Sequence, residues 1–287
     1  LLTGRYPQRV GGLECSIGLG NVGEYDEAIQ LRTRNDLGLP PEEIALPRLL
    51  KDAGYTTALI GKWHLGYEPR FHPRNHGFDS FFGVLGDSVD YFFHTEPDGK
   101  YPLERNGESV DRNGYLTDIL TEEAIQFLRQ QSKEKPFFLF VSYTAPHAPY
   151  QAPDDSHEKI LNQEAWNRGS RQTYIKMVER VDRGIGQILE TLKKQGLDSN
   201  TFLAFSSDHG GDRFADNSLL AHGKGTTFEG GIRVPCLLRW PGRISQGVVT
   251  NRVAITLDLT ASMARIAGVK PGRPFDGIDI VSDIERD

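Results

Sequence analysis

The sequence predicts an α/β fold, with a mostly parallel (mixed) sheet flanked by helices on both faces. Two observations carry this. Amphipathic helical runs alternate with short apolar runs along the chain, and the apolar runs end in polar loops carrying Lys, His or Asp. Repeated helix–strand units feed a parallel sheet through helical crossovers. With 287 residues, 38% hydrophobic and 25% charged, the chain has the composition of an ordinary globular protein with a sizeable core.

The first helix is expected in "PEEIALPRLLKDA" (41–53), whose apolar positions are Ile44, Leu46, Leu49 and Leu50 and whose stop is Gly54. Pro47 lacks an N–H and is tolerated in a first turn, so the helix should start or kink there. "YTTALI" follows as a strand and "GKWHLG" as a polar loop. A second helix fits 115–131, with Leu116, Ile119, Leu120 and Phe127 at helical spacing. "PFFLFVSY" then reads as a strand buried on both faces, leading into "TAPHAPY".

The longest helix spans 171–196, with Tyr174, Met177, Val178, Val181, Ile185, Ile188, Leu189 and Leu192 on one stripe and Gly196 as its stop. "TFLAFSS" is a strand running into "DHGGD". "IRVPCLLRW" is a further strand, and a last helix lies near "DLTASMARIAG". The stretch 66–114, less regular and rich in Gly, Pro, Phe and His, reads as loops and small excursions that could wall a pocket.

A net charge of −6 disfavours non-specific nucleic-acid binding, so no nucleic-acid partner is expected. No run of eighteen apolar residues is present, so no membrane-spanning helix is expected either. Cys15 and Cys236 share no metal-type spacing, and both read as structural thiols.

The chemistry collects where strands end. Lys62 and His64 follow the first strand, His147 the second, Asp208 and His209 the third, and Lys224 sits among glycines in "AHGKGTTFEGGIRVP". Ligands of open α/β sheets bind outside the carboxyl ends of strands, so these clusters offer one shared pocket edge. Two lysines and two histidines gather charge and donors around a small oxyanion. Asp208 can hold a divalent cation on another oxygen of the same anion. "GKG" lacks the spacing of a nucleotide-binding phosphate loop. Cys15 has no basic neighbour to activate it, and Ser206 and Ser207 belong to the turn, so no nucleophile is visible.

These motifs resemble those of the type I sulfatases of the alkaline phosphatase superfamily. Leu2-Thr3-Gly4-Arg5 matches the last four residues of the signature C/S-x-P-S-R-x-x-x-L-T-G-R, and "GKWHLG" (61–66) matches the second signature. "TAPHAP", "SSDHGG", "GKGTTFEGGIRVP" and "FDGIDI" follow in the family's order. The resemblance implies the sulfatase fold, hydrolysis of sulfate monoesters, and catalytic roles for Lys62, His64, His147 and Lys224 at the sulfate or leaving group. It implies calcium as cofactor with Asp208 and His209 as ligands, and a structural role for Arg5.

The resemblance also implies a nucleophile, a formylglycine made from Cys or Ser by a maturation enzyme, in the residues before Leu1. A first strand with further metal ligands is expected earlier still, and a small C-terminal domain after Asp287. Residues 1–287 are therefore expected to be one partial N-terminal catalytic domain, inactive alone. The implied substrate is a sulfated small molecule or carbohydrate, and the implied location is exported: periplasmic, extracellular or lysosomal. A related phosphatase, phosphodiesterase or phosphonate hydrolase remains an alternative, as does a non-catalytic domain binding sulfated ligands. His72, His76, His94 and His157 read as structural or solvent-facing, and Asp87 and Asp90 as candidates for the substrate side.

Overall fold

The computed structural model describes residues 1–10, 26–96, 99–100, 102–156, 160 and 163–285. Cys15 and His157 lie outside the described residues. The helices are α1 (Asp26–Thr33), α2 (Leu46–Asp52), α3 (Leu116–Arg129), α4 (Gln163–Trp166), α5 (Arg171–Lys194), α6 (Glu229–Ile232), α7 (Thr256–Ile266) and α8 (Val281–Ile284). The strands are β1 (Thr56–Lys62), β2 (Ser80–Val84), β3 (Glu104–Arg105), β4 (Glu108–Ser109), β5 (Phe137–Ser142), β6 (Leu203–Ser206) and β7 (Cys236–Arg239).

One sheet runs β4-β3-β2-β1-β5, and β6 pairs with β7 in a second. β1 lies parallel to both β2 and β5, whereas β2-β3, β3-β4 and β6-β7 are antiparallel, giving a mixed sheet with a parallel centre. Side chains on a strand alternate between faces, and the two cores show it. Ile60 and Phe82 pack with Leu116, Leu120, Met177 and Ile188 of α3 and α5. Their neighbours Leu59 and Phe81 pack on the other face with Leu2, Leu39, Trp63 and Phe78. On that same face Leu46 and Leu50 of α2 and Ala264 of α7 pack with Phe138, so helices cover both faces, as expected.

Pro47 sits in the first turn of α2, so that helix starts there rather than at residue 41. The long helix begins at Arg171 because the hydroxyl of Ser170 accepts the Thr173 N–H at 3.0 Å. Two expectations are corrected. The stretch 66–114 is more than loops: it contributes β2, which extends the parallel centre, and the β3–β4 pair. β5 is half-exposed along its whole length rather than buried on both faces. Among the described residues it pairs only with β1, and β5, like β6, lines a cavity of about 2160 Å³.

Gly61 sets the end of β1. A Cβ there would lie 1.9 Å from the carbonyl oxygen of Ser142 on β5, and its φ is +121°, a conformation that glycine adopts freely. The chain therefore passes tightly against β5 just before Lys62.

Candidate active site

Because β1 and β5 are parallel, their carboxyl ends share one edge, bringing Lys62 and His64 near the loop that carries His147. Trp63 N–H donates to Val84 O at 2.9 Å and His64 N–H to Leu85 O at 3.0 Å, extending the β1–β2 ladder two residues past the strand. The Trp63 indole N–H, donating to Phe71 O at 2.8 Å, anchors the segment. His64 itself has a φ of +59°. A non-glycine residue in the left-handed region costs on the order of 1 kcal/mol and persists where its surroundings hold it. Its Nε2 is buried and has no hydrogen-bond partner among the described residues.

His147 is aimed from several sides. Its Nδ1 donates to Ala148 O at 2.9 Å, leaving a lone pair on Nε2. That nitrogen accepts from Lys224 Nζ at 3.1 Å. The Tyr91 hydroxyl donates to His147 O at 3.0 Å. Lys224 also faces Asp212, with Nζ 3.7 Å from Oδ2. Its own N–H donates to Gly211 O at 3.1 Å, so the glycine cluster is pinned to the segment following Asp208 and His209.

Burial governs the protonation states. It pushes His64 down to about 3, with the charge of Lys62 acting in the same direction. Burial also lowers His147, against its hydrogen bond to Ala148 and together with Lys62 and Lys224. Lys62 falls below the usual lysine range through burial, opposed by Asp87 and Asp208. Burial thus favours the neutral form of both imidazoles, which stand beside two lysine side chains. This set can receive an anion and supply or take a proton at its edge.

Asp208 and His209 lie together at the end of β6. His209 Nε2 is 3.3 Å from Asp208 Oδ2, and His209 Nδ1 donates to Gly210 O at 2.8 Å, which leaves Nε2 as a lone-pair donor. Asp208 Oδ1 accepts the His209 N–H at 3.0 Å. Ser207 serves the turn, its hydroxyl donating to His209 O at 3.0 Å. Asp208 acts electrostatically on Lys62 and His64, so the third cluster faces the first two.

A family model described as Sulfatase matches residues 1–269. The chain belongs to the sulfatase family. N-acetylgalactosamine-6-sulfatase of Mus musculus is 34% identical over 303 residues, covering 98% of this chain and 55% of that protein. Steryl-sulfatase of Mus musculus is 31% identical over 376 residues, covering all of this chain and 56% of that protein. The crystal structure of Ps i-CgsB aligns with a TM-score of 0.82 at 34% identity, over 99% of this chain and 64% of that one. A complex of Ps i-CgsB with k-i-k-neocarrahexaose gives 0.81 at 34% identity. This sulfatase chain thus spans a little over half the length of the curated relatives it matches.

Calcium takes about six to eight oxygen ligands. Among the described residues no three His, Cys, Asp or Glu side chains group as a metal-binding set. The Asp208 carboxylate suits one position of such a set; His209 offers a nitrogen, an unusual ligand for a hard cation that prefers oxygen, and the pair does not complete a site among the described residues.

The remaining sequence candidates divide. Asp87 follows Leu85, the backbone partner of His64, and acts electrostatically on Lys62, His64 and His147. Asp90 is 2% exposed and does not reach the substrate side. Its Oδ1 accepts the N–H groups of Phe92 and Phe93, and its Oδ2 accepts from Gln151 Nε2 at 3.1 Å. His72 is paired with Glu104 at 2.8 Å, His94 with Gly114 O at 3.0 Å, and His76 is buried against Trp63. Asp212 carried no motif weight in the sequence. Its place beside Lys224 follows from a loop neck that only the fold reveals.

Proposed function

We propose that the protein of which this chain is part hydrolyses sulfate monoesters, with Lys62, His64, His147 and Lys224 as the groups that hold the ester and handle the leaving oxygen. The observation that carries this is the convergence of Lys224 on His147 while His64 keeps a buried, unpartnered Nε2. A buried polar nitrogen without a partner is costly, and an ester oxygen or its proton would satisfy it. Lys62 and Lys224 supply charge to the sulfuryl oxygens. His147, fixed with its proton on Nδ1, keeps Nε2 for the proton exchanged with Lys224 at the leaving oxygen.

Asp208 and His209 would be two ligands of a calcium ion, which when bound neutralises charge on the anion; the remaining ligands would come from outside the described residues. The nucleophile belongs, in this reading, to residues before Leu1, as a formylglycine whose hydrated aldehyde attacks sulfur. Residues 1–287 are then one part of the catalytic domain, without turnover of their own. The β5 edge, unpaired among the described residues, and the relatives' greater length support this division.

The substrate class we propose is a sulfated carbohydrate. The names N-acetylgalactosamine-6-sulfatase and the neocarrahexaose complex of Ps i-CgsB support it over an aryl or steroid ester. By family resemblance the protein is exported. Release of sulfate from a sulfated galactose-containing oligosaccharide and an aryl sulfate, and of phosphate from an aryl phosphate, is to be measured with the full-length protein and with residues 1–287. Release from the sulfate esters by the full-length protein alone is expected. A preference for the phosphate ester would replace the reading with a phosphatase, and turnover by residues 1–287 would remove the upstream nucleophile from it.

A further inference from the structure

We infer that Asp212 is a specificity-determining residue, whose carboxylate beside Lys224 shifts the site's preference toward singly charged tetrahedral anions and away from doubly charged ones. The inference rests on the ester-site reading above and adds a residue that reading does not use.

Lys224 is held between two groups of opposite character. His147 Nε2, 3.1 Å away, is a neutral lone pair, and Asp212 Oδ2, 3.7 Å away, is an anion. The carboxylate is aimed by its own loop. Asp212 Oδ1 accepts the N–H of Arg213 at 2.7 Å, and Asp212 O accepts the N–H of Ala215 at the same distance. The loop is closed at its neck, where Gly211 O accepts from both Lys224 N–H and Asn217 Nδ2, at 3.1 and 2.9 Å. The neck is also tight: a Cβ on Gly223 would lie 2.5 Å from Gly211 O. Two further contacts tie the loop to its surroundings, Arg171 Nη1 to Phe214 O at 2.6 Å and Arg213 Nη1 to Asn167 O at 3.2 Å. The backbones that carry Asp212 and Lys224 are therefore held together.

An anion oxygen hydrogen-bonded to Lys224 at about 2.8 Å falls within roughly 7 Å of Asp212 Oδ2. At an effective dielectric of about 40 to 80, suited to a carboxylate 54% exposed to water, each negative charge on that anion is opposed by about three- to tenfold in affinity. A sulfate monoester carries one charge. A phosphate monoester carries nearly two above its second ionisation, near pH 6, and is opposed by that factor twice. Lys224 alone would favour the dianion, and Asp212, farther from the anion than the lysine is, weakens that bias.

The test uses two probes of equal shape that cannot be hydrolysed, benzenesulfonate with one charge and phenylphosphonate with two, at pH 8.5. Dissociation constants are measured by calorimetry on the full-length protein and its Asp212→Asn and Asp212→Glu variants. Thermal unfolding checks that the exposed loop position leaves the fold intact. Asp212→Asn is expected to shift the phosphonate-to-sulfonate affinity ratio about three- to tenfold toward phosphonate, and Asp212→Glu to keep the wild-type ratio. Weakening of both probes by the same factor would make Asp212 a mere support for Lys224 and overturn the inference, as would an unchanged ratio. Wild-type protein that binds neither probe would instead overturn the ester-site reading itself.

Discussion

Lys224 Nζ and His147 Nε2 meet at 3.1 Å although 77 residues separate them in the chain. Neither residue is on a strand, and each is placed by short backbone contacts: His147 N–H to Thr144 O at 2.9 Å, Lys224 N–H to Gly211 O at 3.1 Å. Lys224 thus presents charge at the point where the imidazole offers a lone pair.

Removing either anion-facing group from a preorganised site costs on the order of a hundredfold or more in rate. Lys224→Ala and His64→Ala in the full-length protein are expected to lower kcat/KM for a sulfate ester by at least about a hundredfold. The Lys224→Ala and His147→Ala losses should be less than additive, because the two groups act as a unit. Steady-state kinetics of the single and double variants checks both expectations, and full additivity would separate the pair.

The strand-end clusters were legible in the sequence because polar residues after an apolar run mark a strand's carboxyl end, and parallel neighbours β1 and β5 then place Lys62 and His147 on one edge. β2 was not legible. Its "SFFGV" is short, lies among prolines and glycines, and gains its identity from pairing with β1. The exposure of β5 was hidden for the opposite reason. An apolar run states that a strand is suited to burial, not whether a neighbour is there to bury it. Asp90 and Asp87 looked equivalent in "GDSVDY", yet a hydrogen-bonded turn turns one inward and leaves the other near Lys62.

His76 should make the fold sensitive to acid. It is 2% exposed, both ring nitrogens lack a partner, and burial, followed by the charge of His72, pushes it down to about 4. The folded state therefore binds a proton less readily than the unfolded chain, whose histidine titrates near 6.5. The sign follows: stability from this group is complete above about pH 6.5 and is lost as pH falls toward 4, by an amount on the order of 3 kcal/mol. His76→Leu should flatten that part of the profile and cost little at pH 7, since it removes unsatisfied polar atoms. Chemical denaturation of both proteins between pH 4 and 8 measures it; parallel profiles would exonerate His76.

Glu43 joins two ends of the chain. Its Oε2 accepts from Arg5 Nη1 at 2.6 Å and its Oε1 from Arg273 Nη1 at 2.7 Å, with the carboxylate side chain 9% exposed. Glu43→Ala would leave Arg5, itself 12% exposed, charged and without this partner, at a cost of about 3 kcal/mol. Arg273→Ala should cost well under half of that, because its guanidinium is 64% exposed and largely solvated already. Thermal unfolding of the two variants should rank them in that order.

The division of the catalytic domain proposed above predicts a pattern of amide exchange. Among the described residues β1 has a partner on each side, β2 and β5, whereas β5 pairs only with β1 and β6 only with β7. Alternate N–H groups of a strand point to opposite edges, so in residues 1–287 alone the amides of β5 that face away from β1 should exchange quickly. Those of β1 should be the slowest in the sheet. In the full-length protein a further strand against β5 would protect the outward amides as well. Hydrogen exchange read by mass spectrometry over 136–143 and 203–206 compares the two proteins directly. Equal, fast exchange in both would mean that the β5 edge stays open in the whole protein, and the cavity it lines would then belong to the substrate rather than to the fold.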